Sequence, residues 1–337
     1  MRSSLFISLV TVLLLFSGCS SRKAFEPEQT YSASMAESSF GGMIVDVTRE
    51  GATLDDGRFV SKEGISTFTL PEGYRFLGKS GWYVIAANAK GMLKLIDHKS
   101  AKSLKEITFD TPVVSASIKG NLIAYILENN AFGLYNIVHD KKIVENRSER
   151  TYAIDTRAAS PLFVDSLVVM PMLDGKLVIF DTSDPENAKV VYLSSDKAFN
   201  NVIYLERTGD TLVAATPKKL LTLGSQGEFD YRANIADVTL YKNYIYLFTK
   251  EGEIIKMSIT LDELTTKKFK FAQFSESTVV DGRVYALDIK GSLIVLDSDL
   301  KQYRIYDVGK VEHPVFVSGS KLYKDGTIIH LDRLKCK

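Results

Sequence analysis

Short apolar segments of five residues recur along the chain at a nearly constant spacing. Four of them end in aspartate and read LKLID (93–97), LVIFD (177–181), LIVLD (293–297) and IIHLD (328–332). Weaker copies lie between them, at 134–138, 220–224 and 254–258. The last residues of the seven copies are about 39 residues apart on average. A repeat of this length indicates a chain built from similar structural units.

Each copy follows a second β-rich segment and a turn that usually contains glycine. The stretch RVYALDIKGSLIVLD (283–297) has aromatic and β-branched residues on both sides of its turn, which is typical of a hairpin. Segments such as PVVSASI (112–118) and KKIVEN (141–146) supply further strands before and after the hairpin. The pattern predicts four-stranded antiparallel sheets repeated about every 40 residues, the period of an all-β propeller. Helical repeats need amphipathic windows, and only LDELTTKKFKF (261–271) is a weak candidate.

The number of blades follows from the number of copies. An eighth copy, GRFVSKEGISTFTL (57–70), precedes the seven, so eight blades are predicted, with seven as the alternative. This first blade is expected to lack an outer strand. The last copy stops after its third strand, at TIIHLD (327–332), and the segment GMIVDVT (42–48) is predicted to complete it. That pairing would close the ring and remove an exposed sheet edge, within a propeller domain assigned to residues 42–337.

The N-terminal end has the features of an export signal. Arg2 supplies a positive charge, and Leu5 to Phe16 form an apolar run that is too short for a membrane span. Residues 1–18 are therefore predicted to be a signal peptide that is cleaved between Gly18 and Cys19. A plain secretory signal in which the cysteine has no role is the alternative.

The segment behind the signal, residues 19–41, is polar and has no sustained apolar period. It is predicted to be a flexible tether, with an average span of roughly 25 Å.

The residues Phe16-Ser17-Gly18-Cys19 resemble the lipobox of bacterial lipoproteins, although phenylalanine stands where leucine is usual. This resemblance implies that Cys19 becomes the mature N-terminus and carries acyl chains such as palmitate, which together anchor a protein stably. Ser20 follows Cys19, where an aspartate would resemble an inner-membrane retention signal. The resemblance therefore implies attachment to the outer membrane, facing the periplasm.

The segment VYALDIKGSLIVLD (284–297) resembles the repeat of quinoprotein-type (PQQ-like) propellers. Together with the lipobox, the pattern is similar to the BamB-type propeller lipoproteins of the outer-membrane β-barrel assembly machinery. The resemblance covers most of residues 50–333 at the level of pattern and implies a protein-binding scaffold. The threonine-glycine pair and the blade-ending tryptophan of that repeat are largely missing. Trp82 is the single tryptophan.

Composition and charge narrow the function classes. The 337 residues are 45% hydrophobic and 25% charged, with a formal net charge of +1, so no strong field attracts nucleic acid. The two cysteines are Cys19 and Cys336, which excludes a disulfide framework if the first carries lipid. Cys336 is expected to lie in a frayed C-terminal tail.

No residue set in the sequence indicates catalysis, a cofactor or a metal. His98, His139, His313 and His330 are scattered without a ligand-like partner. The repeat-ending aspartates are predicted to cap turns rather than to form a carboxylate cluster: Asp97, Asp181, Asp297 and Asp332. No nucleophile or nucleotide motif is present, and the adjacent cysteines of quinone-dependent enzymes are missing.

These observations predict a non-enzymatic, lipid-anchored propeller with a monomeric body that binds protein at the outer membrane, with barrel assembly as the role that the resemblance implies. Two alternatives remain open. One is a ligand-binding or enzymatic propeller that uses its central funnel, which a polar-lined axial pocket would favour. The other is an adhesion lipoprotein displayed on the cell surface. Tyrosines that reach loops, among Tyr241, Tyr244 and Tyr246, are candidate contacts for a protein partner.

Overall fold

The computed structural model describes residues 23–151, 157–195 and 199–337. These residues form eight four-stranded antiparallel blades in a ring, so the predicted eight-bladed β-propeller is confirmed. The signal segment 1–18 and Cys19 lie outside the described residues and stay predictions. Within the described ranges, no helix is long and apolar enough to cross a membrane.

The strands of blades 1 to 4 follow the order of the chain, and the first strand of each blade lies innermost. Blade 1 contains β3 (Ile44–Val47), β4 (Gly51–Leu54), β5 (Phe59–Ser61) and β6 (Gly64–Ile65). Blade 2 contains β7 (Tyr74–Ser80), β8 (Tyr83–Asn88), β9 (Met92–Asp97) and β10 (Ser103–Thr108). Blade 3 contains β11 (Val113–Lys119), β12 (Leu122–Leu127), β13 (Ala131–Asn136) and β14 (Lys141–Arg147). Blade 4 contains β15 (Leu162–Val164), β16 (Leu167–Pro171), β17 (Lys176–Asp181) and β18 (Asp184–Tyr192).

Blades 5 to 8 complete the ring, and the last two take in strands from the N-terminal segment. Blade 5 contains β19 (Tyr204–Thr208), β20 (Thr211–Ala215), β21 (Lys219–Gly224) and β22 (Gly227–Arg232). Blade 6 contains β23 (Ile235–Tyr241), β24 (Tyr244–Thr249), β25 (Glu253–Met257) and β26 (Glu263–Lys268). Blade 7 contains β27 (Phe274–Val280), β28 (Arg283–Asp288), β29 (Ser292–Asp297) and β30 (Tyr303–Asp307), with β1 (Tyr31–Ser32) added outside. Blade 8 contains β31 (Phe316–Ser318), β32 (Lys321–Lys324) and β33 (Thr327–His330), with β2 (Glu37–Ser39) outermost.

The glycine turns of the repeat join the second and third strands of a blade. Gly91 and Gly291 have φ of +81° and +95°, which other L-residues rarely adopt. A Cβ atom at Gly91 would collide with the carbonyl of Phe109, whose amide donates a hydrogen bond to the Gly91 carbonyl (2.8 Å). The turn therefore hydrogen-bonds the segment that follows the outer strand of the same blade. This close approach leaves no room for a side chain, which explains why glycine recurs in the repeat.

Apolar clusters lie between neighbouring blades. Ile85 and Leu95 of blade 2 pack with Tyr125 of blade 3 in one such cluster. The same packing joins the two ends of the ring, because Ile44 of blade 1 is buried with Phe316 of blade 8. Each blade thus buries a face that is covered only by its neighbour, and the sheets cannot be stable singly.

The strand that closes the ring differs from the sequence prediction. Segment 42–48 does not complete blade 8, because β3 is the innermost strand of blade 1 and pairs with β4. The closing strand is β2, which pairs antiparallel with β33 at Ser38 and Ile328. Blade 1 therefore has all four strands. The polar sequence of β2 carries no apolar pattern because all three of its residues are exposed.

The propeller boundary predicted at residue 42 is corrected, because residues 31–39 of the predicted tether 19–41 belong to the blades, while residues 19–22 lie outside the described residues. Strand β1 pairs in parallel with β30. Ala33 and Ala36, which lie between β1 and β2 in the chain, are buried against blades 7 and 8. The C-terminal tail is also packed: Cys336 is partly buried against the cluster between blades 7 and 8. The segment 261–271, the weak candidate for an amphipathic helix, contains the outer strand β26, in agreement with the rejection of helical repeats.

Ala36 tests whether the N-terminal segment belongs to the fold. Because its side chain is 1% exposed, Ala36→Asp should place an unpaired charge in the core and lower the free energy of unfolding by roughly 3 kcal/mol. The matched control is Met35→Asp, at a neighbouring side chain that is 92% exposed, which should change stability by less than about 0.5 kcal/mol. Urea unfolding measures both. Equal effects of the two variants would contradict the docked segment.

Candidate binding site at the ring axis

The innermost strands enclose an axial channel that contains two cavities. The larger, of about 650 Å³, is lined by blades 1 and 4 to 8 and is called the axial pocket below. The smaller, of about 360 Å³, is lined by blades 1 to 4. Glu50, Lys62, Pro161 and Leu162 line both cavities and so form the partition between them. Lys62 and Glu50 form an ion pair of 2.8 Å in that partition.

Bulges orient acidic side chains at the channel wall. The innermost strands of blades 1, 3, 6 and 7 each shift register between their first and third residues, and a bulge changes the direction of a side chain. The residue at this position is Asp46 in blade 1, Asp237 in blade 6 and Glu276 in blade 7. Asp237 and Glu276 line the axial pocket. The repeat architecture thus places two carboxyl groups at one level of the channel.

Arg49 crosses the channel from blade 1. It lies in the turn between β3 and β4, and its Nη1 donates to Asp237 Oδ1 of blade 6 at 2.8 Å. Its Nε donates to the carbonyl of Ile203, at the start of blade 5, at 2.6 Å. Blade 5 is four blades away from blade 1 in a ring of eight, so this side chain connects opposite walls. The other oxygen of Asp237 accepts from Ser277 Oγ of blade 7 at 2.7 Å.

The charges of this cluster are mutually dependent. Burial alone would raise the pKa of Asp237, but Arg49 and Arg157, helped by Ser277, hold it below its usual value. Burial raises the pKa of Glu276 to about 8 and the charge of Asp237 adds to that effect, while Arg49 and Arg157 oppose it. The carboxyl groups of Asp237 and Glu276 therefore lie in the field of the same two guanidinium groups. Arg49 Nη2 is buried and has no hydrogen-bond partner among the described residues.

The histidines of the sequence do not converge in this site. His98 lies beside Trp82, whose carbonyl accepts its backbone amide proton at 2.8 Å. His313 pairs with Asp325 at 2.9 Å, and His330 hydrogen-bonds Ser38 Oγ at 2.9 Å. His139 lies in the turn after β13. In the described ranges, no group of three or more histidine, cysteine, aspartate or glutamate side chains could hold a metal ion.

Three of the four repeat-ending aspartates cap turns, as predicted. Asp97 accepts from the amide of Ser100 at 2.6 Å, Asp181 from Ser183 at 2.8 Å and Asp297 from Lys301 at 2.8 Å. Asp332 differs, because it lies in the 3-10 helix Leu331–Arg333 that follows the last strand.

Sequence reasoning missed the axial cluster. Asp237 and Glu276 occupy the third position of their strands. Arg49 lies in a short turn, where a charged residue is not a distinctive feature of a sequence. Aligning the repeats on their innermost strands would have revealed the recurring acidic position. The contact with Arg49 could not be found this way, since it joins blades that are far apart in the chain.

Comparison with known proteins gives two kinds of similarity. No protein-family model matches the chain. The plasminogen-binding protein PgbB of Helicobacter pylori strain J99 is 29% identical over 381 residues, an alignment that covers 97% of this chain and 70% of the relative. The protein of the same name from strain 26695 is 29% identical over 383 residues with the same coverage.

Solved structures show the same fold at low identity. BamB from Moraxella catarrhalis superposes with a TM-score of 0.68 at 12% identity, covering 87% of this chain and 98% of that one. The C-terminal WD40 domain of Sif2 superposes with a TM-score of 0.63 at 11% identity, covering 87% and 95%. The chain therefore has a BamB-like propeller fold, as the resemblance of its repeat implied.

Glu276 gives the axial cluster a pH dependence that can be measured. Its folded pKa lies above its ordinary value of 4.5, so the folded protein holds a proton that the unfolded chain releases between about pH 4.5 and 8. Stability should fall as pH rises through this window, by up to about 1.4 kcal/mol per pH unit. Glu276→Gln should flatten the slope in urea unfolding at pH 5 to 8. The control Glu206→Gln, at an exposed residue of the pocket lining, should keep it; identical slopes for both variants would contradict the assignment.

Proposed function

We propose that the chain is an outer-membrane lipoprotein that binds protein partners on one face of its propeller, with plasminogen as a partner and display on the cell surface. The similarity to PgbB over 97% of this chain supports this function. The lipobox at Cys19 supports the anchor. The function requires no chemistry of the propeller, in agreement with the non-enzymatic prediction.

The face proposed for binding is defined by the turns between first and second strands. All innermost strands run in one direction, so these turns lie on one side of the ring, called the hairpin face here. Trp82 and Tyr244 lie in or beside such turns and are 56% and 39% exposed. Val138, in a turn between third and fourth strands, is on the same side and is 65% exposed. Exposed aromatic residues on a rigid surface are typical of protein-binding sites.

Lysines accompany both aromatic residues. Lys99 Nζ lies 4.2 Å from the ring centroid of Trp82, and Lys256 Nζ lies 4.5 Å from that of Tyr244. Lys256 also pairs with Asp299 at 2.9 Å, which fixes the side chain beside Tyr244. The hairpin face therefore offers two exposed aromatic side chains, and the exposed Lys99 beside Trp82 adds a positive charge suited to a partner that presents carboxylates.

Two substitutions on the hairpin face test the binding proposal. Trp82→Ala and Tyr244→Ala should each weaken plasminogen binding, and together by about tenfold or more, because truncation removes central contacts. Met35→Ala, at an exposed side chain of the N-terminal segment, is the control and should leave binding unchanged. Surface plasmon resonance with immobilised plasminogen measures the dissociation constants.

Binding, crosslinking and protease experiments together separate the alternative partners. Absence of plasminogen binding by the unmodified protein would contradict the proposal. Recovery of barrel-assembly proteins after crosslinking in membranes, with a propeller that resists protease added to intact cells, would favour the periplasm-facing scaffold instead. Loss of the propeller to that protease would support surface display.

The axial pocket supports a second function, binding of a small molecule that carries a carboxylate. The observation in its favour is the wall of the pocket, where Arg49 Nη2 is buried and has no hydrogen-bond partner among the described residues. A carboxylate of the ligand would accept a charge-assisted hydrogen bond from Arg49 Nη2. The pocket is large enough for a ligand of moderate size.

Filling the pocket tests this second function. Native mass spectrometry of the protein purified without added ligand should show a bound small anion, and Thr239→Trp, which places an indole in the pocket, should remove it. Thr265→Trp, on the outer strand β26, is the control that should keep it. No bound mass in the unmodified protein, or equal occupancy in both variants, would contradict a ligand site.

A further inference from the structure

The N-terminal segment runs along the rim of the ring from blade 6 to blade 8. Phe25 contacts Phe269 edge to face, with centroids 5.9 Å apart and an interplanar angle of 80°. Tyr31 lies 6.0 Å from Tyr306 by ring centroids, and the guanidinium of Arg304 lies 4.9 Å from the Tyr31 ring. Together with the pairing of β1 with β30 and of β2 with β33, these contacts hold residues 23 to 39 against the rim.

This docking shortens the connection to Cys19. Four peptide steps separate Cys19 from Lys23, and a fully extended chain covers at most about 3.6 Å per step, or about 14 Å in all. A tether of 23 residues would instead have let the ring turn freely. A lipid at Cys19 must therefore lie close to the place where Lys23 meets the ring.

The rim at this place has the chemistry of a lipid-facing surface. Lys23, Lys267, Lys270, Phe271 and Tyr303 surround it and are called the anchor patch here. The ring of Phe271 lies 5.7 Å from Lys23 Nζ and 5.1 Å from Lys270 Nζ, and Lys267 Nζ lies 4.6 Å from the Tyr303 ring. Phe271 and Tyr303 are 39% and 43% exposed.

The charge of the anchor patch is available for an outside partner. In the described part of the chain, none of its three lysines forms an ion pair with a carboxylate, whereas the adjacent Lys268 pairs with Glu253 at 3.0 Å. Glu26 and Glu28 follow Lys23 on the same segment and moderate the positive charge. Phe271 has φ of +69°, an unfavourable conformation for a bulky residue, and it presents its ring to the outside.

We propose that the anchor patch lies against an anionic lipid surface, so that the ring stands on the rim of blades 6 and 7. This inference rests on the proposed lipid anchor at Cys19. Lysines attract anionic headgroups, and aromatic rings with an apolar body favour the interface between headgroups and acyl chains. Because the connection is short, the lipid at Cys19 and the anchor patch reach the membrane together.

The orientation has a consequence for the rest of the ring. Blade 2 lies four blades from blade 6, so its hairpin turn with Trp82 is held on the side away from the membrane. A ring that stands on its rim leaves the hairpin face open across its width. The arrangement is therefore compatible with a large protein partner on that face.

Tryptophan quenching by brominated lipids tests the orientation on the full-length, acylated protein. Vesicles contain an anionic phospholipid and a phospholipid with brominated acyl chains. The chain has one tryptophan, so the unmodified protein reports on Trp82 alone, while Phe271→Trp combined with Trp82→Phe reports on the anchor patch. We expect quenching at position 271 to exceed that at Trp82 at least threefold. Tyr303→Trp, with Trp82→Phe, is a second reporter should the first variant fold poorly.

The outcomes separate the orientation from the anchor. Trp82 quenched as strongly as the patch reporters, or patch reporters that stay unquenched in acylated, vesicle-bound protein, would overturn the orientation and leave the anchor standing. A protein whose mass shows no acyl groups, and which like Cys19→Ser stays off the vesicles, would overturn both. Lys267→Glu with Lys270→Glu should reduce quenching at position 271, and unchanged quenching would contradict the role of charge.

Discussion

The backbone hydrogen bonds between β2 and β33 are the constraint on which the rest of the structure depends. Each blade buries apolar side chains that only its neighbours cover, so a ring with one open edge would expose both an apolar face and unpaired strand groups. Three of the four strands of blade 8 come from the C-terminal part of the chain. The fourth strand comes from residues that precede blade 1, and this pairing joins the two ends of the chain in one sheet.

The closed ring also explains the axial cluster. Arg49 can reach Asp237 and the Ile203 carbonyl only because the ring holds blades 1, 5 and 6 around a common channel. Breaking the contact would be destabilising, since it would leave Arg49 without the carboxylate that it pairs with in a largely buried site. The cluster thus stabilises the relative positions of distant blades and at the same time leaves a polar pocket beside it. A rigid ring with an open hairpin face is a suitable platform for a protein partner.

The part of the fold that repeats along the chain could be predicted from the sequence. The copies at 93–97, 177–181 and 293–297 are third strands whose residues are mostly buried, and such strands carry a strong apolar signal. The closing strand did not follow from the pattern because Glu37, Ser38 and Ser39 are all exposed and are held by backbone hydrogen bonds alone. Of the candidate site, the turn-capping aspartates were predictable from local chemistry. The pairing of Arg49 with Asp237 was not, since only the three-dimensional ring brings them together.

Hydrogen–deuterium exchange tests the closed ring most directly. The amide protons of residues 37 to 39 and 327 to 330 should exchange at rates close to those of the first and second strands of blade 8, because all four strands belong to one closed sheet. Exchange of residues 37 to 39 within seconds, as in an unstructured tether, with residues 327 to 330 exchanging as an open edge, would contradict it.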